Sequence, residues 1–277
     1  MFDAKPSRTP TQPGIELRSF RSNALNQDLE LYIKLPWQYE LTDTIYPVLF
    51  ALDANRSFFL YSTVSLIYET PPAEHDETVI VGVGYALDDN RATGLAQWAA
   101  WRTRDLTPVE KLETDQFWEE KLSSLVGGRK LGVQSGGAGL FLSSLCKELV
   151  PYVEANYRVS SERRGLAGYS YGGLFTLYAL FHAPEVFGRL FAGSPTMWEE
   201  LFTYEEEYAA RHDDLEVTLL ITAGELETDL HDPIRRLVDR LRSRAYPGLT
   251  LIERTLQAED HESGYAASVS RALRLLY

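Results

Sequence analysis

The sequence predicts a three-layer α/β fold, in which a mostly parallel sheet of eight strands carries helices on both faces. Two observations predict it. Short runs that are almost wholly apolar alternate with longer amphipathic stretches, and the first two runs instead alternate apolar with polar residues. Continuous apolar runs are typical of parallel strands covered on both faces, whereas alternation is typical of half-buried strands. Helical stretches between successive strands indicate βαβ units.

The predicted elements follow the chain in order. The half-buried pair covers 15–22 and 29–36, and the intervening NALNQD is predicted to be a hairpin turn. The remaining strands are predicted at 46–53, 77–85, 166–170, 190–195, 217–224 and 249–256. Helices are predicted at 57–68, 138–156, 171–183, 230–244 and 262–276. These elements make one domain over 15–277. Residues 1–14 precede it as a tail, and their content of Pro, Thr and Ser predicts disorder.

One segment, residues 86–136, interrupts this alternation between the fourth and fifth strands. It is polar and aromatic and is followed by glycines. Long connections in compact domains usually carry function, and open α/β sheets bind ligands at the carboxyl ends of their strands. We therefore expect this excursion to lie over the functional site.

Composition limits the partners of the chain. A net charge of −13 repels nucleic acid and anionic membranes, so we expect neither as a partner. No apolar run is long enough to span a bilayer, and the first residues lack the apolar centre of a secretory signal. The single cysteine, Cys146, forms no intrachain disulfide, which fits a cytoplasmic location. No metal or cofactor is expected, because no ligand spacing, phosphate loop or dinucleotide fingerprint occurs.

Residues 166–174 carry the motif that indicates chemistry. They read LAGYSYGGL, in which Gly168, Ser170 and Gly172 form a G-x-S-x-G pattern between an apolar strand and an amphipathic helix. Such a tight turn needs small residues beside the serine and exposes its hydroxyl at a helix N-terminus, where negative charge is favoured. The motif predicts Ser170 as a nucleophile. The alternative is a glycine-rich turn in which the serine caps the helix.

A serine hydroxyl needs a base to take its proton, and the base needs an acid to orient it. After this type of turn the acid comes first along the chain and the histidine follows. Of the histidines after Ser170, His182 lies about three turns along the next helix and His212 lies in a charged stretch, which leaves His231 and His261. We predict His261, because it follows the last strand and opens the last helix. Several carboxylates compete for the acid in GELETDLHD, and we predict Glu227, with Asp229 second and Glu225 also open.

Two backbone N–H groups are predicted to form an oxyanion hole, those of Tyr171 and of Asn55 in the loop after the third strand. In that loop Asp53 either caps a helix or faces the substrate. Arg102 and Arg104 lie beside tryptophan in the excursion, where they would bind an anionic or aromatic substrate. The alternative is an ordinary surface ion pair with the neighbouring aspartate.

These residues also resemble a known family, the putative-esterase branch of the α/β-hydrolases, which includes enterobactin-type siderophore esterases, S-formylglutathione hydrolase and the mycolyltransferases. The matching stretches are YPVLFALDAN (46–55), TRDLTP (103–108), GGAGLFLSSLCKELVPYVEANYRV (136–159), LAGYSYGGLFTLYAL (166–180), FGRLFAGSPTMW (187–198), ITAGELE (221–227) and DHESGYAASVSRALR (260–274). They span nearly the whole chain, in order. The resemblance implies an α/β-hydrolase fold and a serine carboxylic ester hydrolase, closest to the siderophore-esterase-like members.

By this resemblance, Ser170 matches the family nucleophile and His261 its histidine, while Glu227 matches the acid position loosely. Some members work with a Ser–His dyad. The family often has several aromatic residues after its Ser-Pro pair, whereas this chain has only Trp198. We expect Trp198 to contact the substrate. The expected partner is a small-molecule ester, siderophore-like or otherwise aromatic or anionic. Two alternatives stay open, an acyltransferase to a sugar or alcohol and a non-catalytic ligand-binding module.

Overall fold

The computed structural model describes residues 14–70 and 75–277. The strands are β1 (Ile15–Ser22), β2 (Gln27–Lys34), β3 (Tyr46–Ala51), β4 (Val79–Tyr85), β5 (Val159–Tyr169), β6 (Arg189–Gly193), β7 (Thr218–Gly224) and β8 (Thr250–Leu256). They form one sheet in the order β1-β2-β4-β3-β5-β6-β7-β8. Only β1 with β2 and β2 with β4 pair antiparallel among the described strands. The predicted fold, a mostly parallel eight-stranded α/β sheet, is confirmed.

The helices are α1 (Ala54–Glu69), α2 (Arg91–Asp105), α3 (Leu112–Leu125), α4 (Ala138–Ser144), α5 (Val150–Asn156), α6 (Tyr171–His182), α7 (Glu200–Ala209), α8 (Thr228–Arg244) and α9 (Gly264–Leu276). A π-helical turn at Leu145–Leu149 joins α4 to α5, so the predicted helix over 138–156 is one helical run with an altered middle. The sequence prediction missed α2, α3 and α7. None of the described helices is long and apolar enough to cross a membrane.

The sheet separates two apolar cores. Along β3, Val48 and Phe50 belong to a core shared with α6 and α8, while Leu49 and Ala51 belong to one shared with α1 and α9. Successive side chains of a strand point to opposite faces, so a wholly buried strand must be apolar at every position. This burial explains why the central strands could be predicted as continuous apolar runs.

The largest boundary difference from the prediction concerns β5. Strand β5 begins at Val159, seven residues before its predicted start. The prediction missed these first residues because most of them are polar and partly or fully exposed. Residues 1–13 of the predicted tail lie outside the described residues. Gly14 forms a turn, and its carbonyl accepts a hydrogen bond from Leu35 N–H at 2.8 Å.

Candidate active site

The predicted nucleophile, Ser170, occupies the single residue between β5 and α6. Its backbone adopts φ 59° and ψ −116°, an unfavourable conformation for a residue with a side chain, and such strain is concentrated at functional sites. Three hydrogen bonds hold it there. Ser170 N–H donates to the Gly193 carbonyl at 2.9 Å, and the Ser170 carbonyl accepts from Leu174 at 3.0 Å and Thr196 at 3.1 Å. The sequence thus places a strained, half-buried serine at the end of a central strand.

The glycines around Ser170 differ in whether a side chain would fit at their positions. A Cβ added to Gly168 would lie 2.1 Å from the Gly172 carbonyl oxygen, and one added to Gly173 would lie 2.9 Å from the Gly193 oxygen. At Gly172 the nearest atom, an Asp53 carboxylate oxygen, would be 3.5 Å away, which is ordinary contact. The close approach therefore requires glycine at 168 and 173. The steric reason inferred from the sequence does not apply to Gly172.

Glu227 and His261 are in direct contact. His261 Nδ1 lies 2.6 Å from Glu227 Oε1, and the side chain of Glu227 is only 6% exposed. A carboxylate can only accept, so Nδ1 carries a proton, and the neutral form of the imidazole has its lone pair on Nε2. The Tyr169 hydroxyl, which donates to the His261 carbonyl at 2.7 Å, fixes the backbone of the same histidine. This arrangement presents Nε2 as a proton acceptor, although no hydrogen bond joins it to Ser170 within the described residues.

The other candidates for base and acid are engaged elsewhere. The Glu225 carboxylate accepts from Ala258 N–H at 2.8 Å, and Asp229 lies exposed in the first turn of α8. His231 Nε2 lies 2.9 Å from the Gly224 carbonyl oxygen. The structure therefore brings Glu227 to His261, and it does not bring the competing residues there.

Sequence reasoning missed a third participant, Ser194. Its hydroxyl donates to Glu227 Oε2 at 2.6 Å, and Gly224 N–H donates to the same oxygen at 2.7 Å. Ser194 is fully buried and has a positive φ of 35°. Hydrogen bonds to a buried carboxylate offset the loss of its hydration, and these two donors also fix the orientation of Glu227.

Both predicted oxyanion donors belong to the first turn of a helix. Tyr171 opens α6 and Asn55 is the second residue of α1. N–H groups in a first turn have no partner within their own helix, so they can face a ligand. The Asn55 side chain pairs with both backbone groups of Tyr85 at 2.8 Å, which fixes the start of α1 to the end of β4.

Asp53 and Arg102 form a bidentate ion pair, with both N···O distances at 2.9 Å. Their side chains are 8% and 11% exposed. Asp53 occupies the N-cap position of α1, but its side chain makes no cap hydrogen bond, because the carboxylate is paired with Arg102. The Arg102 guanidinium lies 5.2 Å from the centre of the Tyr171 ring. The pair ties the excursion to the loop before Asn55, and it neutralises the charge predicted to bind substrate.

Arg104 has a similar structural role. It pairs with Asp105 at 2.7 and 2.9 Å and donates to Gln27 at 2.6 Å. Burial raises the pKa of Asp105, and the hydrogen bond from Arg104 opposes that rise. The structure therefore favours the alternative of an Arg–Asp pair over substrate binding. It corrects that alternative in one respect, because the aspartate is buried rather than on the surface.

Aromatic side chains surround the ring of Tyr171. Its ring centre lies 6.3 Å from that of Trp198 and 6.4 Å from that of Trp118. Trp118 belongs to α3 and donates through Nε1 to the Tyr171 hydroxyl at 3.0 Å. Lys111 Nζ stands 4.2 Å from the centre of the Trp198 ring. The excursion thus contacts Tyr171, the residue next to Ser170, and it brings Trp118 and Lys111 close to Tyr171 and Trp198.

In the described part of the chain, no group of three or more His, Cys, Asp or Glu side chains could hold a metal ion. The groups gathered near Ser170 are instead a buried acid, an imidazole and first-turn N–H groups. Such a set can transfer protons and stabilise an oxyanion.

Comparison with known proteins gives a consistent result. The family described as putative esterase matches residues 128–245. A ferri-bacillibactin esterase of Bacillus subtilis is 30% identical over 275 residues, covering 95% of this chain and 90% of that protein. A siderophore triacetylfusarinine C esterase of Aspergillus fumigatus is 27% identical, covering 83% and 81%.

Solved structures share the fold. A BES protein from Bacillus cereus superposes with a TM-score of 0.81 at 23% identity, covering 99% of both chains. Siderophore hydrolase EstA from Aspergillus nidulans superposes with a TM-score of 0.79 at 21% identity, covering 99% of this chain and 98% of that one. At these identities the likeness bears on the fold alone.

Proposed function

Since this chain belongs to the putative-esterase family of α/β-hydrolases and is a serine ester hydrolase, we propose that it hydrolyses siderophore esters through an acyl-enzyme on Ser170. The observation that carries the residue assignment is the buried contact between Glu227 and His261 at 2.6 Å. It leaves Nε2 of the imidazole as a base, and His261 contacts Tyr169, the residue before the strained Ser170. The substrate class rests on the relatives, which are esterases of siderophores.

The first half of the reaction forms the acyl-enzyme. Ser170 Oγ attacks the ester carbonyl carbon while its proton passes to His261 Nε2. Glu227 stays ionised and stabilises the imidazolium. The oxyanion accepts hydrogen bonds from the Tyr171 and Asn55 N–H groups, which are already ordered and need no reorganisation as charge develops. The tetrahedral intermediate collapses when His261 returns the proton to the leaving alcohol.

The second half releases the acid. Water enters, gives a proton to His261 Nε2 and attacks the acyl carbon. Collapse of the new intermediate returns the proton to Ser170 Oγ and frees the carboxylic acid. Hydrolysis is favoured over acyl transfer to a sugar or alcohol because both compared relatives are esterases. The complete set of nucleophile, base and acid favours an enzyme over a binding module.

Further parts of the proposal concern the setting of the reaction. We expect a single catalytic domain over 15–277, a cytoplasmic location, a small-molecule partner and no nucleic-acid partner, as the charge of −13 suggests. We expect Trp198 to contact the substrate from its position beside Tyr171.

A labelling and turnover experiment tests the proposed function. Wild type should react with a fluorophosphonate probe and hydrolyse p-nitrophenyl acetate, ferri-bacillibactin and triacetylfusarinine C. Ser170→Ala and His261→Ala should each lose at least about a thousandfold in kcat, and the double variant should be little worse, because the two residues act as one unit. His231→Ala is the matched histidine control and should stay within a few-fold of wild type.

The outcomes separate the parts of the proposal. Turnover by Ser170→Ala above about a thousandth of wild type would exclude it as the nucleophile. A larger loss in His231→Ala than in His261→Ala would reassign the base. Cleavage of p-nitrophenyl acetate without cleavage of either siderophore would remove the substrate class and leave the esterase.

A further inference from the structure

The imidazole of His261 is held by few contacts. Its side chain is 41% exposed, and the bond from Nδ1 to Glu227 is the one hydrogen bond that its ring makes with the described residues. A base must lie within hydrogen-bond reach of the proton that it takes. One hydrogen bond at Nδ1 does not by itself fix where Nε2 points. The direction of Nε2 therefore depends on where the backbone of His261 lies.

That backbone belongs to a turn between β8 and α9, and three contacts hold the turn. The Asp260 carboxylate accepts from two N–H groups of the turn itself, at 2.8 and 3.1 Å. Leu226 N–H donates to the Glu259 carbonyl at 3.0 Å, which joins the turn to the loop after β7. The Tyr169 hydroxyl donates to the His261 carbonyl at 2.7 Å. Tyr169 thus ties the base to β5, the strand that ends at the nucleophile.

The side chain of Tyr169 is itself rigidly placed. It is 5% exposed, and its ring stacks on that of Tyr265 with centres 4.2 Å apart and planes at 18°. The ring centre lies 5.1 Å from that of the His261 imidazole. On β6, a Cβ added to Gly193 would lie 2.6 Å from Tyr169 Cδ2, so glycine makes room for the ring. Burial raises the pKa of Tyr169, so its hydroxyl stays protonated and can donate.

We propose that Tyr169 is a positioning residue, whose hydroxyl holds the His261 backbone so that Nε2 meets the hydroxyl of Ser170. Tyr169 and Ser170 are consecutive, so one rigid side chain sets the separation of base and nucleophile. Glu227 orients the same imidazole from its other nitrogen. The inference rests on the proposed function for the roles of Ser170 and His261, and it adds the residue that holds them in register.

Tyr169→Phe tests this role, because it removes the hydroxyl and keeps the ring with its stack. The kcat for p-nitrophenyl acetate should fall about 10- to 100-fold, since misplacing a reacting group by about 1 Å can cost about 100-fold. KM should stay within about twofold of wild type, because Tyr169 holds the base and not the ester. Tyr68→Phe is the matched control. Its hydroxyl bonds to Ser270 of α9 at 2.8 Å, away from the turn, and its loss should leave kcat within about twofold.

A double-mutant cycle separates positioning from a general structural role. His261→Ala removes the imidazole but keeps the backbone carbonyl that accepts from Tyr169. If Tyr169 acts through the imidazole, Tyr169→Phe should lower the residual turnover of His261→Ala by less than about twofold. Should Tyr169→Phe fail to fold, Tyr265→Leu carries the same test. It removes the ring on which Tyr169 stacks, and its loss of kcat should also vanish in the His261→Ala background.

Two results would overturn the positioning role. They are a loss of less than about twofold in Tyr169→Phe, and a loss of equal size in the wild-type and His261→Ala backgrounds. Failure of the proposed function is a different result. Absence of siderophore cleavage would remove the proposed substrate class and leave this test intact, because every arm uses p-nitrophenyl acetate. If wild type does not turn that ester over, the rate of fluorophosphonate labelling at Ser170 replaces kcat in the same comparisons.

Discussion

Replacing Glu227 with glutamine should nearly abolish turnover without unfolding the protein. The side chain keeps its size, but one oxygen becomes an NH₂ group that only donates. Oε2 accepts from the Gly224 N–H and from the Ser194 hydroxyl, and the backbone N–H cannot reverse its role. The remaining carboxamide oxygen must therefore stay on that side. The new NH₂ group then faces His261 Nδ1, 2.6 Å away in the wild-type structure.

This amide would force the wrong tautomer on His261. Nδ1 would have to accept, so the ring proton would move to Nε2, which could then no longer take the proton of Ser170. In a serine protease the corresponding change of acid to amide lowers kcat about 10⁴-fold. We expect a loss of about 10³- to 10⁴-fold here, equivalent to about 4–5.5 kcal/mol of transition-state stabilisation.

The assay is the kcat for p-nitrophenyl acetate, with circular dichroism and a thermal melt to establish folding. Glu225→Gln is the matched control, because that neighbouring carboxylate accepts from Ala258 N–H and makes no contact with His261 within the described residues. It should retain turnover within a few-fold of wild type. Retention of more than about a tenth of wild-type kcat by Glu227→Gln would refute the reasoning and leave a Ser–His dyad.

Two further predictions follow from buried groups. Arg102→Ala should lower kcat/KM for p-nitrophenyl acetate and for an anionic ester alike, by about tenfold, and should lower Tm, because it leaves Asp53 buried and unpaired beside the oxyanion loop. Loss confined to the anionic ester would return Arg102 to substrate binding. Burial raises the pKa of Cys146 to about 11, so its thiol should react with Ellman's reagent at pH 8 about a hundredfold more slowly than glutathione, and faster as pH rises. A rate equal to that of glutathione would contradict its burial.

A helix or strand can be predicted from the sequence when it buries an apolar face, because the apolar residues then recur at a regular spacing. The central strands could be predicted because they are covered on both faces, as in β4, where all seven residues are buried. Helix α3 could not, because Leu122 is its only buried residue and no apolar stripe marks it. The early start of β5 was missed for the same reason, since its first six residues are partly or fully exposed. Strand pairing and helix packing hold these segments despite their polarity.

The engagement of a charged side chain depends on contacts that are remote in sequence. Arg102 finds its partner 49 residues away, in Asp53, whereas Arg104 pairs with its neighbour Asp105. In the sequence the two arginines cannot be told apart, because they lie two positions from each other in the segment WRTRD (101–105). Only the fold shows that each of the two charges is already paired with a carboxylate.

The choice of acid depends on strand order, which the sequence did not supply. Glu227 turns back onto Gly224 at the end of β7, and the neighbouring strand is β6, with Gly193 in register with Thr222. That register puts Ser194 at the same edge of the sheet, where its hydroxyl reaches the acid. Among the carboxylates in 225–232, Glu227 is therefore the one that this edge buries, because two donors offset its lost hydration.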